Sequence, residues 1–216
     1  KSNNELINSL SFPSEGSKVI LKRLNNNPTP KERLIISVSG KSEEEIIENI
    51  LLFENYCFAI EINISSPNTS DLKKFVNEKS IISILSKVRK VTDIPIFIKL
   101  PRIDEINYYD ELIRPIKKFA EVGVVLSNTL PVNDSRLKVG KGGKSGTSLF
   151  ESTLNILKYV RKSHPEIVIM CSGGISSSEQ VRLLLKEGAN ALQIYTSLVY
   201  KGPGIIKELN NELLNN

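Results

Sequence analysis

Six short apolar runs punctuate the chain: LIISVS (34–39), FAIEINIS (58–65), IPIFIKL (94–100), VGVVLSN (122–128), IVIMCSG (167–173) and ALQIYTS (191–197). They are rich in Ile and Val and mostly continuous rather than alternating. That pattern predicts parallel strands buried on both faces. Helical patterns fill the intervals. Ser42 with Glu45 makes a capping box ahead of an apolar stripe of Ile46, Ile47, Ile50 and Leu51. Ser80 precedes a second stripe of Ile81, Ile84, Leu85 and Val88, and Leu154, Ile156, Leu157 and Val160 form a third. Ser176 with Glu179 is predicted to cap a helix carrying Val181, Leu184 and Leu185, which Gly188 ends with a left-handed cap. A last helix follows Gly202-Pro203 and carries Ile205, Ile206, Leu209 and Leu213. The stretch 103–121 is predicted helical, with Pro115 in a first turn or at a kink.

Alternating strands and helices define an α/β fold with a parallel sheet. No linker, low-complexity tract or composition break divides residues 1–216, so one domain is expected. Six strands fit either an open doubly wound sheet or a (β/α)8 TIM barrel of which about six of eight strands are present. The strand ends favour the barrel, whose working residues lie at the C-terminal ends of strands. Asn63 and the turn Ser65-Ser66-Pro67-Asn68 end one run, Ser127-Asn128-Thr129 another, and Ser172-Gly173-Gly174 and Tyr195-Thr196-Ser197 the last two.

Lys99 lies inside an apolar strand, where a lone charge is expensive. It faces either a structural ion-pair partner or an anionic ligand or electron-rich cofactor edge. Gly173-Gly174 opens into a helix, and paired glycines let backbone amides approach an anion. A plain tight turn is the simpler account of one such pair. Barrels often hold phosphate in the last two strand–helix loops, and Tyr195-Thr196-Ser197 stands where the second loop belongs. Asn63, Asn68 and Asn128 offer amides that donate and accept, suited to a planar ring with alternating N–H and C=O groups.

Composition narrows the classes. The net charge is +5, with lysines scattered rather than clustered, which argues for a solvated surface over a nucleic-acid face. Cys57 and Cys171 sit among apolar residues and read as buried free thiols. The sole histidine, His164, reads as a surface residue, which removes a Ser-His-Asp triad and makes a zinc site improbable. No run reaches the length of a membrane span, and the start lacks a signal-peptide core, so a cytoplasmic location is expected.

At this point the strings match a family. INISSPNT (62–69) resembles the active-site segment of dihydroorotate dehydrogenases. The similarity continues through IFIKLP (96–101), LSNTL (126–130), GGKSG (142–146), SGGISS (172–177) and GANALQIYTSLVYKGP (188–203). INSLSFPSEG (7–16) resembles the segment that supplies a substrate-binding asparagine, here Asn8. The resemblance implies a (β/α)8 barrel that binds FMN at the strand C-termini and oxidises dihydroorotate to orotate in pyrimidine biosynthesis. By position, Asn8, Asn63, Asn68, Asn128 and Thr129 would hold the substrate. Ser66 would take the C5 proton while a hydride passes from C6 to the flavin. Lys99, Ser37 and Ser127 would contact the flavin ring. Ser145-Gly146, Gly173-Gly174 and Tyr195-Thr196 would hold its phosphate. The loop 69–78 would close over the ring.

A serine base is typical of the quinone-dependent, membrane-associated members of the family, and soluble members mostly carry cysteine. The electron acceptor stays open between a quinone and another oxidant. The resemblance further implies two barrel strands N-terminal to this segment. A longer chain or a second polypeptide would supply them, a homodimer is possible, and any membrane-docking segment would lie there too. The rival readings are another FMN barrel acting on a dihydropyrimidine, a flavin-free phosphate-binding isomerase or lyase, and a non-enzymatic barrel.

Overall fold

The structure is a computed structural model that describes residues 4–214, with the backbone alone for 70–71 and 211–214. All six predicted runs form strands of one parallel sheet. These are β2 (Ile35–Val38), β3 (Ala59–Asn63), β4 (Ile96–Lys99), β5 (Val122–Leu126), β8 (Ile169–Ser172) and β9 (Ala191–Gln193), paired in that order. Strands that neighbour in sequence neighbour in space, and the sheet curls as part of a (β/α)8 barrel. Among the described residues β2 and β9 each pair on one side only. They depart from the expectation of burial on both faces: Ile35 on β2 is 42% exposed, whereas β3 is buried at Ala59, Ile60, Glu61 and Ile62. An edge strand lacks the second neighbour that would cover it.

The helices pack outside the sheet. They are α1 (Ser17–Asn26), α2 (Glu43–Phe53), α3 (Glu78–Val88), α4 (Tyr108–Ile116), α5 (Phe150–Ser163), α6 (Ser178–Lys186), α7 (Thr196–Lys201) and α8 (Gly204–Leu214). Their predicted stripes enter the main core: Ile46 and Ile50 from α2, Ile81, Ile84 and Leu85 from α3, Leu157 and Val160 from α5. The starts of these helices differ in detail. Ser42 Oγ accepts from the Glu45 amide at 3.2 Å, but the Glu45 carboxylate accepts from Lys41, one residue outside a standard box. Asn77 caps α3, its side chain accepting from the Ser80 amide, so Ser80 lies inside the helix. Ser177 with Gln180, not Ser176 with Glu179, caps α6, and Gln180 reaches back to the Ser176 amide at 2.8 Å. Gly188 closes that helix in a Schellman arrangement: Ala189 N–H donates to Leu184 and Gly188 N–H to Leu185. Pro115 is neither in a first turn nor at a mid-helix kink. It occupies the last turn of α4, where its missing N–H leaves only the Glu111 carbonyl without an intrahelical donor, and the helix ends one residue later.

A second sheet is absent from the hydrophobic pattern. β1 (Glu5–Asn8), β7 (Lys141–Gly146) and β6 (Leu130–Asn133) form an antiparallel sheet in the order β1-β7-β6. β6 carries Pro131, which an edge strand tolerates, and β7 is the apolar-poor KGGKSG. This sheet stands at the C-terminal ends of the barrel strands, because only residues 127–129 separate β5 from β6, and β1 and β7 line the same cleft as those ends.

Both cysteines are free and buried, and burial pushes the Cys171 thiol up to about 12. No helix among the described residues is long and apolar enough to cross a membrane. No group of three His, Cys, Asp or Glu among them could hold a metal ion. His164 corrects the surface expectation. It is 6% exposed, and its Nε2 lies 2.8 Å from Asp110, whose other oxygen accepts from Tyr159 at 2.8 Å. The α5 exit folds back over α4, so a ring that ends a helix is covered.

Candidate active site

Strand periodicity builds the floor of the site. Ala59, Phe97, Val125 and Met170, with Ala191 beside them, form a small apolar cluster on the inner face of the sheet. Side chains two residues further along a strand share that face. Glu61, Lys99, Ser127, Ser172 and Gln193 therefore form the next layer, and all five line a cleft of about 990 Å³. An apolar plug with a polar layer above it is how a barrel closes at one end and offers chemistry at the other.

Within that layer the carboxylate of Glu61 is the hub. It accepts from Ser37 Oγ at 2.8 Å, from Gln193 Nε2 at 2.8 Å and from Lys99 Nζ at 3.4 Å, and Lys99 also donates to Gln193 Oε1 at 3.1 Å. The two alternatives for Lys99 thus coexist: the ammonium has an ion-pair partner and still faces the cleft. Neither Glu61 nor Gln193 stood out in the sequence, although a carboxylate inside AIEIN carries the same signal as a lysine inside IFIKL.

The asparagines form two linked pairs. Asn128 donates to Asn63 Oδ1 at 3.3 Å and to Ser65 Oγ at 3.0 Å, and Ser65 Oγ in turn donates to Asn63 Oδ1 at 3.2 Å. Asn68 Nδ2 lies 3.2 Å from both the backbone carbonyl and Oδ1 of Asn8. Asn8, Asn128 and Thr129 line the cleft, and Asn63 and Asn68 are joined to it through these partners. Ser66 is half-buried in the turn beside Ser65 and is not on the cleft wall. Ser65 Oγ thus ties the loops after β3 and β5 together, a role with no separate signal in the sequence. Glycine lets these loops converge: a Cβ on Gly143 would strike Thr129 Oγ1 and press on Pro67 at 3.2 Å.

The remaining residues gather at Ser145-Gly146, Gly173-Gly174 and Tyr195-Thr196, all on the cleft wall. Thr196 Oγ1 donates to Ser145 Oγ at 2.8 Å, which joins the loop after β9 to β7. Tyr195 is 68% exposed, and β9 ends at Gln193, so Tyr195 and Thr196 belong to the start of α7 rather than to a strand. Gly174 has φ +80°, and a Cβ there would collide with the Phe150 amide. Ser197 Oγ is buried on the cleft wall without a hydrogen-bond partner. Beneath the glycines lies Arg102, 7% exposed, which donates to Ser152 Oγ at 2.8 Å, Thr153 Oγ1 at 2.9 Å and the Asn128 carbonyl at 3.3 Å. Burial lowers its pKa from the usual arginine value. An arginine after a proline in a loop reads as solvated, so the sequence carried no sign of this role.

β1 and β7 measure the spacing of the two ends. Asn8 pairs with Gly143 and Glu5 with Gly146. Three residues of strand separate the amide end from the glycine end by roughly 10 Å.

A partial (β/α)8 barrel with a polar cleft at its strand C-termini is the class that fold and cleft define. The chain belongs to the dihydroorotate dehydrogenase family, whose model matches residues 1–216. Among curated relatives, a "dihydroorotate dehydrogenase (quinone)" of Nautilia profundicola is 31% identical over 228 residues, covering 96% of this chain and 60% of that protein. One of Nitratiruptor sp. with the same name is 33% identical over 221 residues, covering 96% and 62%. The chain thus spans about three fifths of these relatives. In fold it resembles the ligand-free DHODH of Eimeria tenella, with a TM-score of 0.85 at 22% identity, covering 99% of this chain and 70% of that one.

Proposed function

We propose that the protein of which this chain is part binds FMN and oxidises dihydroorotate to orotate. The observation that carries the reading is the two-ended cleft, with amide groups at one end and a glycine cradle at the other. The residues present suit FMN. Gly173 and Gly174 adopt positive φ with no room for a Cβ against the protein behind them, which lets their backbone line the cleft wall, and the unpartnered Ser197 hydroxyl offers a donor. Lys99, Ser37 and Ser127 would face the ring; Ser145-Gly146, Gly173-Gly174 and Tyr195-Thr196 would hold the phosphate. Bound FMN supplies the acceptor for the hydride that leaves C6 of the substrate.

The protein groups do the rest. Asn8, Asn63, Asn68, Asn128 and Thr129 would orient the dihydropyrimidine, each amide offering both a donor and an acceptor. Ser66 would remove the C5 proton. Its hydroxyl is a weak base, and the sole histidine is committed to Asp110, so the proton leaves by a water or hydroxyl relay. The family name of the relatives, with serine at position 66, favours a quinone as the final oxidant.

The full chain should purify yellow, and anaerobic dihydroorotate should bleach it. Ser66→Ala should remain yellow and lose the bleaching. A colourless protein would favour the flavin-free isomerase; a yellow one indifferent to dihydroorotate would point to another dihydropyrimidine.

A further inference from the structure

We propose that Glu61 is a positioning residue that holds Lys99 and cancels its charge beside the flavin, lowering the electron affinity of bound FMN. The proposal rests on the FMN reading and extends it to a residue outside the asparagine, serine and glycine set.

A lysine by the pyrimidine edge of a flavin stabilises the negative charge that the reduced ring carries. A free ammonium would apply its whole charge. Here the Glu61 carboxylate lies 3.4 Å from Nζ, and the pair is shielded from solvent, with the Glu61 side chain 5% and the Lys99 side chain 18% exposed. Burial weakens solvent screening of both charges, so the ring would meet a nearly neutral pair. Three donors fix the carboxylate: Ser37 from β2, Lys99 from β4 and Gln193 from β9. Gln193 also accepts from Lys99, so the ammonium is gripped by both neighbours. Register sets the arrangement: Ser37 lies opposite Glu61, and Lys99, opposite Asn63, stands one diagonal step from Glu61 on the same face. The same layer lines the cleft, so these charges act on the bound ring.

Sulfite provides a readout separate from turnover. Its sulfur lone pair bonds to N5 of oxidised flavin and places negative charge on the N1–C2 carbonyl region, so its affinity reports the local field. Sulfite titration of the full chain, followed by loss of flavin absorbance, would be run on wild type, Glu61→Gln, Lys99→Met and the double variant. The expected order of affinity is Glu61→Gln tightest, by at least about tenfold over wild type, the double variant close to wild type, and Lys99→Met weakest. Loss of packing alone would move both single variants in one direction. If Glu61→Gln stays within twofold of wild type, or if both single variants weaken binding, the proposal is overturned. Should Glu61→Gln not fold, the double variant against Lys99→Met decides: recovered affinity supports charge cancellation and equal affinity overturns it. A wild type that takes up no FMN overturns the cofactor reading along with this one, whereas a yellow wild type with a flat order overturns this one alone.

Discussion

The side-chain amide of Asn68 donates to Asn8 across 60 residues of sequence, at 3.2 Å to both the backbone carbonyl and Oδ1. The contact clamps the Ser66 turn to β1, and Ser11 Oγ adds a bond to the Asn68 carbonyl at 3.0 Å. Asn68→Asp would set a carboxylate against two acceptors. The expected outcome is a loss of about 1–3 kcal/mol in urea denaturation and a raised KM for dihydroorotate, while the flavin content stays the same.

Gly174→Ala tests the glycine cradle. Its Cβ would meet the Phe150 backbone at a φ of +80°. The strain should cost about 1–3 kcal/mol, and FMN affinity, measured by fluorescence on titration of the apoprotein, should fall at least about tenfold.

Arg102→Lys tests the support beneath the cradle. A lysine cannot reach Ser152, Thr153 and the Asn128 carbonyl together, because it lacks the planar fork. Weaker FMN binding and a lower Tm are expected, with Tm recorded in the presence and absence of FMN to separate the two effects.

Ser66→Cys should shift the pH dependence of flavin reduction toward lower pH. A thiol ionises near pH 8.5, far below a serine hydroxyl. Stopped-flow reduction by dihydroorotate across pH 6–10 would read the shift, and an unchanged profile would count against proton removal at this position.

The two thiols give a pH-linked stability test. Burial raises the Cys171 pKa from 9.0 to about 12 and raises that of Cys57 as well. The folded state therefore favours the neutral thiols. Their contribution is complete below the unfolded-state pKa near 9 and declines as pH rises from there through about 12. Urea midpoints at pH 8 and pH 10 should differ in that direction, and the difference should shrink in Cys171→Ala. A thiol reagent at pH 8 should label both cysteines only after unfolding.

The parallel strands were legible because burial on both faces leaves uninterrupted Ile and Val. Lys99, Asn63 and Asn128 were legible because polar side chains stand out at the ends of such runs. The β1-β7-β6 sheet was not, since its strands are held by backbone pairing and carry glycine, proline and lysine where an apolar pattern would be read. His164 departs from the surface expectation, and Arg102 carries no signal, for one reason: their burial comes from distant segments, α4 in one case and α5 with the end of β8 in the other. The α6 cap lies one residue beyond the expected serine because consecutive serines at 176–178 offer equivalent hydroxyls and only backbone dihedrals choose among them.

The pairing of Leu6 with Ser145 and of Asn8 with Gly143 bears on the order of assembly. The first strand of the cleft finds its partner only after almost 140 intervening residues have been synthesised. Until then the barrel strands can pair locally, whereas closing so long a loop carries an entropic penalty that local contacts do not offset. The rim of the cleft is thus a late product of folding. On the FMN reading, cofactor uptake would follow barrel formation, and the flavin would act as a latch on the final step of folding rather than as a template for the first.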